Sequence, residues 1–203
     1  MHSNTTRKKS RGQSIVEFMV LLPILLMMLS GLIEFGFLLN YYLDLIDGAR
    51  EIARFGANVD PLSPEDWEPD CGKTTYFRRL LWCLADDTFD GQVRLDYDPG
   101  LDDLVLSAIA AKDGAVTRRW PDDNGWNRNT VNPRVSKFTT ADINGMLQAD
   151  APATGMVLVE VYYDYHMILG LPWITMFVPE TITLHAYSIM PNTYVEPTPI
   201  PTG

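Results

Sequence analysis

Few side chains in this sequence have the type and spacing that catalysis or metal binding requires. Of the three histidines, His166 and His185 lie on predicted strands without Cys, Asp or Glu partners at metal-ligand spacing. None of the short signatures of nucleophilic hydrolases, P-loop proteins, zinc proteases or dinucleotide-binding proteins occurs. We therefore predict that the protein is not an enzyme and uses neither a metal nor a cofactor.

The run from Asp96 to Asp103, DYDPGLDD, superficially resembles a calcium loop. It lacks the downstream Glu that closes an EF-hand. We favour a solvated acidic turn, with a Ca²⁺ site as the alternative.

Two cysteines, Cys71 and Cys83, form the other pair with chemistry of its own. Both lie in the part of the chain that we place outside the cytoplasm, where oxidation is permitted. If residues 75–85 form a helix, Cys71 must fold back along it to reach Cys83. The sequence therefore leaves a disulfide and two buried thiols as alternatives.

Two carboxylates interrupt an apolar run that extends from Ile15 to Leu39. Residues 18–33 carry no charge, and about 20 helical residues cross the hydrocarbon layer, so we predict a transmembrane helix. Glu17 lies just inside one edge of the span and Glu34 just inside the other. Each costs a few kcal/mol unless it is paired, so each is a functional candidate. For Glu34, simple snorkelling to the outer interface is the alternative.

The charges on either side of the span predict its direction. Four basic residues precede it: Arg7, Lys8, Lys9 and Arg11. Asp44 and Asp47 follow it, so the positive-inside rule places the N-terminus in the cytoplasm. The net charge of the chain is −10, and the part after the basic leader contains 12 basic and 26 acidic residues. This acidic excess argues against a nucleic-acid binder.

The residues around Glu17 form a motif. RGQSIVEF at residues 11–18, followed by an apolar run that contains Pro23, resembles the class III signal of type IV-like prepilins. It is most similar to the TadE-like family of the tight-adherence (Tad/Flp) pilus systems. The resemblance continues through GLIEFG at 31–36 and AREIARFGA at 49–57.

This resemblance implies that a prepilin peptidase cuts on the cytoplasmic side, between Gly12 and Gln13. Glu17 then lies five residues into the mature chain, where in pilin-like families the carboxylate meets the N-terminal ammonium of a neighbouring subunit. Pro23 removes a helical hydrogen bond within the span and permits a kink. The residues expected to act in assembly are Glu17, Phe18, Pro23 and Glu34.

The function expected from the resemblance is that of a minor pilin, pseudopilin or assembly protein of a Tad-like pilus in the bacterial inner membrane. Its partners would be the lipid bilayer, the prepilin peptidase, other pilin-like subunits and the assembly platform. The sequence does not distinguish a filament subunit from an assembly factor. It also does not distinguish a TadE-like role from a TadF-like or TadG-like one. The alternative function is a membrane-tethered extracytoplasmic binding module, for which the helix is only an anchor.

The predicted fold is α+β, with a long N-terminal transmembrane helix that continues outside the membrane and packs on a small antiparallel β-sheet. Three-and-four spacing marks a buried stripe on the continuing helix: Leu39, Leu43, Ile46, Ala49, Ala53 and Ala57. A second helix is predicted over 75–85, and strands over 93–97, 104–111, 115–120, 157–165 and 181–190. The Asp113-Gly114 pair predicts a hairpin turn between the strands at 104–111 and 115–120. The predicted divisions are a leader (1–12), the helix (13–57), an extracytoplasmic domain (58–192) and a proline-rich tail (193–203).

The last apolar run, MILGLPWITMFV at residues 167–178, lies between the two best strands. Gly170 and Pro172 interrupt it, and it is too short to span a bilayer. It could be buried in the domain core. A connection between strands usually runs over the surface, however, so we predict that Trp173 and Phe177 contact the outer-leaflet interface or a partner.

Overall fold

A computed structural model of the chain describes residues 13–65, 71–91, 93–97 and 100–197. Within these residues the first helix, α1, spans Gln13–Gly56. One compact unit contains α1 up to Leu39 together with His166–Glu180, and the other contains Asn40–Tyr165 and the chain from Thr181 onward. The fold is α+β, as predicted, with a long apolar helix and a small antiparallel sheet.

The first part of α1 has an apolar surface that the rest of the chain does not cover. Every residue from Ile15 to Leu29 is exposed, and Glu17 carries the only charge among them. The helix is long and apolar enough to cross a membrane. A helix that is apolar on all sides and uncovered by its own chain is typical of a membrane span.

The second part of α1 is amphipathic and packs within the larger unit. Its buried residues follow helical spacing: Leu45, Ala49, Ile52 and Ala53. The predicted stripe is right for Ala49 and Ala53 but wrong for Leu39 and Leu43, which are 41% and 57% exposed. The stripe is rotated because Leu45 and Ile52, not Leu43, face the core.

Between α1 and residue 97, the described residues contain one helix and no strand. Helix α2 spans Phe77–Thr88, where 75–85 was predicted. The predicted strand at 93–97 is wrong, since these residues form no ladder. Val93 and Leu95 are nevertheless buried. The alternation of apolar and polar residues at 93–97 therefore results from burial of this segment and not from pairing with another strand.

Five strands form the sheet: β1 (Asp103–Lys112), β2 (Ala115–Trp120), β3 (Trp126–Asn127), β4 (Thr154–His166) and β5 (Thr181–Pro191). Their order is β2-β1-β4-β5, and β3 pairs with β1. The β1–β2 hairpin turns at Asp113 and Gly114, both with positive φ, as the Asp-Gly pair predicted. Gly114 is required there, because a Cβ would lie 2.4 Å from the Gln148 carbonyl oxygen.

Both faces of the sheet are covered. On one face Tyr41 of α1 packs against Tyr163 and Tyr165 of β4, with ring centroids 5.8 and 5.2 Å apart. On the other, Ile109 and Leu158 pack with Ile143 of α3 (Thr140–Met146), a helix that the sequence analysis missed. Helix α4 (Pro172–Thr175) lies in the smaller unit, within the segment between β4 and β5.

Candidate functional site

The described end of the N-terminal motif, residues 15–18, lies on the uncovered surface of α1. Gly12, on one side of the predicted cut, lies outside the described residues, and Gln13 is the first residue of α1. Glu17 and Phe18 are both exposed, and Pro23 lies inside the helix. Glu17 and Phe18 are therefore available to a molecule that covers this surface, such as lipid or another helix.

Glu34 is buried, in contrast to the exposed Glu17. It is only 5% exposed, and its carboxylate accepts hydrogen bonds from the backbone N–H groups of Ile168 and Leu169, at 2.9 and 2.8 Å. Each carboxylate oxygen accepts one of the two bonds. Glu34 thus binds the loop between β4 and β5, residues 167–180, of its own chain. Simple snorkelling would instead leave the carboxylate in contact with the interface.

Ser30, one helical turn before Glu34, binds the same loop. Its hydroxyl donates to the Met27 carbonyl oxygen at 2.9 Å and accepts from the Trp173 indole N–H at 3.0 Å. The indole N–H is therefore satisfied inside the protein. Trp173 is held against α1 by its polar edge, while the side chain remains 37% exposed.

The end of the loop is more exposed than the part that Glu34 and Ser30 hold. Met176 is 77% and Phe177 82% exposed. The run at 167–178 is thus not buried in a core. The predicted contact of Trp173 and Phe177 with lipid or a partner stays a prediction.

The acidic run near residue 100 has a structural task in the larger unit. Asp103 is fully buried, and its carboxylate accepts from the backbone N–H groups of Arg128, Asn129 and Arg134 and from the Asn127 side chain. The solvated turn we favoured is wrong at Asp103 and also at Asp102, which is nearly buried and accepts from two backbone N–H groups. Burial raises the pKa of both carboxyl groups above the usual range.

A second set of buried polar residues fixes the 134–137 segment to the sheet. Glu160 of β4 accepts from the Lys137 N–H at 2.9 Å and lies 3.0 Å from the His185 ring nitrogen. Arg134 donates to both Asp164 oxygens at 3.1 Å. His185 is therefore a paired core residue, whereas His166 is exposed. Within the described ranges no group of three or more His, Cys, Asp or Glu could hold a metal ion.

Cys71 and Cys83 are joined by a disulfide. The bond ties the segment before α2 to the middle of that helix. Both cysteines line an open cleft of about 330 Å³, together with Arg78, Trp82 and Arg128. The Arg78 guanidinium lies 5.9 Å and that of Arg128 5.5 Å from the Trp82 ring centroid.

Among the residues that the structure describes, one helix near the N-terminus is a candidate membrane anchor, and an α+β unit continues from it. Residues 12–54 match the family described as TadE-like protein. The resemblance seen in the sequence is thus confirmed over the N-terminal helix, and it implies a protein associated with a Tad pilus. Neither a curated protein nor a solved structure matches the chain.

Sequence reasoning identified Glu34 but missed its partners. The Ile168 and Leu169 N–H groups lie 134 and 135 residues away, and a backbone donor has no signature in the sequence. Ser30 was missed because a serine in an apolar helix usually bonds its own backbone. The available signal was the indole N–H of Trp173, a donor that needs an acceptor, in a run whose only other side-chain donor is Thr175.

Proposed function

We propose that this protein is a minor pilin, pseudopilin or assembly protein of a Tad-like pilus. A prepilin peptidase removes its leader between Gly12 and Gln13, and α1 anchors it in the bacterial inner membrane with the N-terminus in the cytoplasm. The observation that carries the proposal is the uncovered apolar surface at Ile15–Leu29, which bears Glu17 and lies in the segment that matches the TadE-like family. The proposal gives the protein no catalytic role.

This surface suits helix packing in a membrane or a filament. Apolar side chains on all sides of a helix can be covered by lipid or by the helices of other subunits. An exposed carboxylate on such a surface is costly in lipid, and a cation from a neighbouring helix reduces that cost. The ammonium group created at Gln13 by cleavage is such a cation.

The Glu17 pair is expected to set the register of neighbouring helices more than to add stability. A buried ion pair contributes little net free energy, because desolvation offsets the attraction. Removal of one partner leaves the other charge unpaired, which favours a different packing. The Glu17 carboxylate therefore matters when subunits associate and not when a single chain inserts.

The test compares Glu17→Ala with Glu51→Ala in cells that carry the pilus system. Glu51 is an exposed carboxylate on the same helix, outside the apolar run, and serves as the matched control. We expect Glu17→Ala to insert and to be cleaved normally, but to lose crosslinking to pilin-like subunits and to reduce piliation. Glu51→Ala should retain both. Wild-type crosslinking and piliation in Glu17→Ala would contradict the proposal.

The alternative is a membrane-tethered binding module, and the cleft beside Trp82 is the observation that favours it. Arg78 and Arg128 near an aromatic ring could bind an anionic or aromatic ligand. In that case Trp82→Ala would abolish function, whereas Glu17→Ala and loss of leader cleavage would leave it unchanged. The pilus proposal predicts the opposite order of effects.

A further inference from the structure

We propose that the His166–Glu180 loop is a second membrane-contacting element, whose Met176 and Phe177 enter the outer-leaflet interface while Glu34 and Ser30 hold the loop on α1. The inference rests on the membrane span of α1 and not on the pilus role. It commits the exposed apolar end of the loop to lipid as its partner.

The depth of Glu34 along α1 places the loop at the membrane boundary. The basic leader ends at Arg11 and the apolar run begins at Ile15. At ~1.5 Å per residue, Glu34 lies about 28 Å further along the helix, close to the ~30 Å thickness of the hydrocarbon layer. Ser30 lies about 6 Å deeper, within the apolar layer.

Three N–H donors of the loop are paired with side chains of α1, as that depth requires. Backbone N–H groups outside a helix are unsatisfied in lipid unless the protein supplies acceptors. Glu34 accepts from the N–H groups of Ile168 and Leu169, and Ser30 accepts from the indole N–H of Trp173. The same bonds give the Glu34 carboxylate two donors, which lowers the cost of its position.

The apolar side chains face the other way. Residues 167–178 carry no charge, and Ile168, Met176 and Phe177 are each at least half exposed. Polar groups directed inward and apolar groups directed outward reverse the arrangement of a water-soluble loop. Lipid favours this arrangement, and a Trp whose N–H is bonded and whose ring is part-exposed suits the interface.

Lipid is favoured over a protein partner because the loop continues the apolar surface of α1, which we propose spans the bilayer. Trp173 contacts Ser30, and the neighbouring α1 residues Leu29 and Ile33 are themselves exposed and apolar. A single lipid layer covers both surfaces without a further assumption. A protein partner would have to exclude lipid from the exposed end of the loop but not from the adjacent surface of α1.

The test uses the full chain reconstituted in phosphatidylcholine vesicles that contain no other pilus protein. Brominated phosphatidylcholine, which quenches indoles in contact with acyl chains, is compared with the unbrominated lipid. The chain has five tryptophans, so Trp173 should supply about one fifth of the emission if all emit equally. We expect bromolipid to quench this fraction of the emission in wild type and in the control Trp120→Phe. In Trp173→Phe we expect bromolipid to cause no such loss of emission.

Two further variants test how the loop is held and where it inserts. Phe177→Ser changes a side chain that is already exposed, and it should weaken the quenching of Trp173 without affecting the rest of the emission. Glu34→Ala removes the acceptor of two N–H groups and should weaken it as well. Unchanged quenching in Phe177→Ser, or equal quenching in wild type and Trp173→Phe, would overturn the inference.

A protein contact or a water-exposed loop gives a different result. Bromolipid leaves Trp173 unquenched whether the loop contacts a protein or water. If the loop is exposed to water, the aqueous quencher acrylamide quenches Trp173. Both results would overturn the lipid contact. The vesicles lack pilus subunits, so this experiment can fail while the Glu17 experiment succeeds, and the reverse.

Discussion

Replacement of Asp103 by Asn tests whether the buried carboxylate organises the larger unit. Both oxygens accept two hydrogen bonds each: Arg128 and Asn129 donate to Oδ1, and Asn127 and Arg134 donate to Oδ2. All four donors are N–H groups. An asparagine has the same shape but replaces one acceptor oxygen with an NH₂ group that can only donate.

The expected loss follows from the number of donors left without an acceptor. In either orientation of the amide, two N–H groups meet NH₂, and each unsatisfied buried donor costs about 1–3 kcal/mol. Removal of a buried charge offsets part of this cost. We therefore expect Asp103→Asn to lower the free energy of unfolding by about 2–4 kcal/mol.

Asp122→Asn is the matched control. Asp122 is exposed and accepts one N–H bond from Asn124, which an asparagine oxygen can also accept. Urea unfolding of the full chain in mild detergent, followed by near-UV circular dichroism, measures both variants. The control should change the free energy of unfolding by less than ~0.5 kcal/mol. A similarly small change in Asp103→Asn would refute the reasoning.

The pH dependence gives a second test of the same residue. Burial raises the pKa of Asp103 above the ordinary value of 3.8, despite the four donors. The folded state then binds the proton more tightly than the unfolded state, so the contribution to stability is complete below pH 3.8 and is lost as pH rises through the folded pKa. Asp103→Asn should lose less stability than wild type over this window.

Two further substitutions, each with a control, test how the C-terminal part of α1 is packed. Asn192→Ala removes a buried amide that donates to two backbone carbonyls at the end of α1 and accepts one N–H, and should cost about 2–4 kcal/mol. Asn58→Ala, which loses one exposed bond, should cost less than ~0.5 kcal/mol. Gly48→Ala places a Cβ 2.4 Å from the Phe89 ring and should cost about 1–3 kcal/mol, although alanine favours a helix. Gly145→Ala, with no atom within 4 Å, should be neutral or stabilising, and equal effects of the two glycine variants would contradict the close packing.

Elements of the fold could be predicted where one continuous segment of sequence contains the whole pattern that forms them. The uninterrupted apolar run predicted α1, and the Asp113-Gly114 pair predicted the β1–β2 hairpin. Alternation predicted β4 but did not show what covers its polar face. Glu160 and Asp164 on that face are buried, because residues 24 to 30 positions earlier fold over them.

The candidate site was predictable only in part, for a related reason. The cost of a carboxylate in an apolar helix identified Glu17 and Glu34 from the sequence alone. The partners of Glu34 are backbone N–H groups of a distant loop, which any residue except proline would supply. The sequence could therefore show that Glu34 needs a partner, but not which segment provides it.

N-terminal sequencing of the full chain, extracted from membranes of cells that contain a prepilin peptidase, tests the central claim most directly. Gly12→Val is the companion variant, because the peptidase must fit the extended backbone closely before the cut and only glycine lacks a Cβ. We predict that the wild-type chain begins at Gln13, while Gly12→Val inserts but keeps its leader. An intact leader on the wild-type chain, or the same N-terminus for both proteins, would contradict the account.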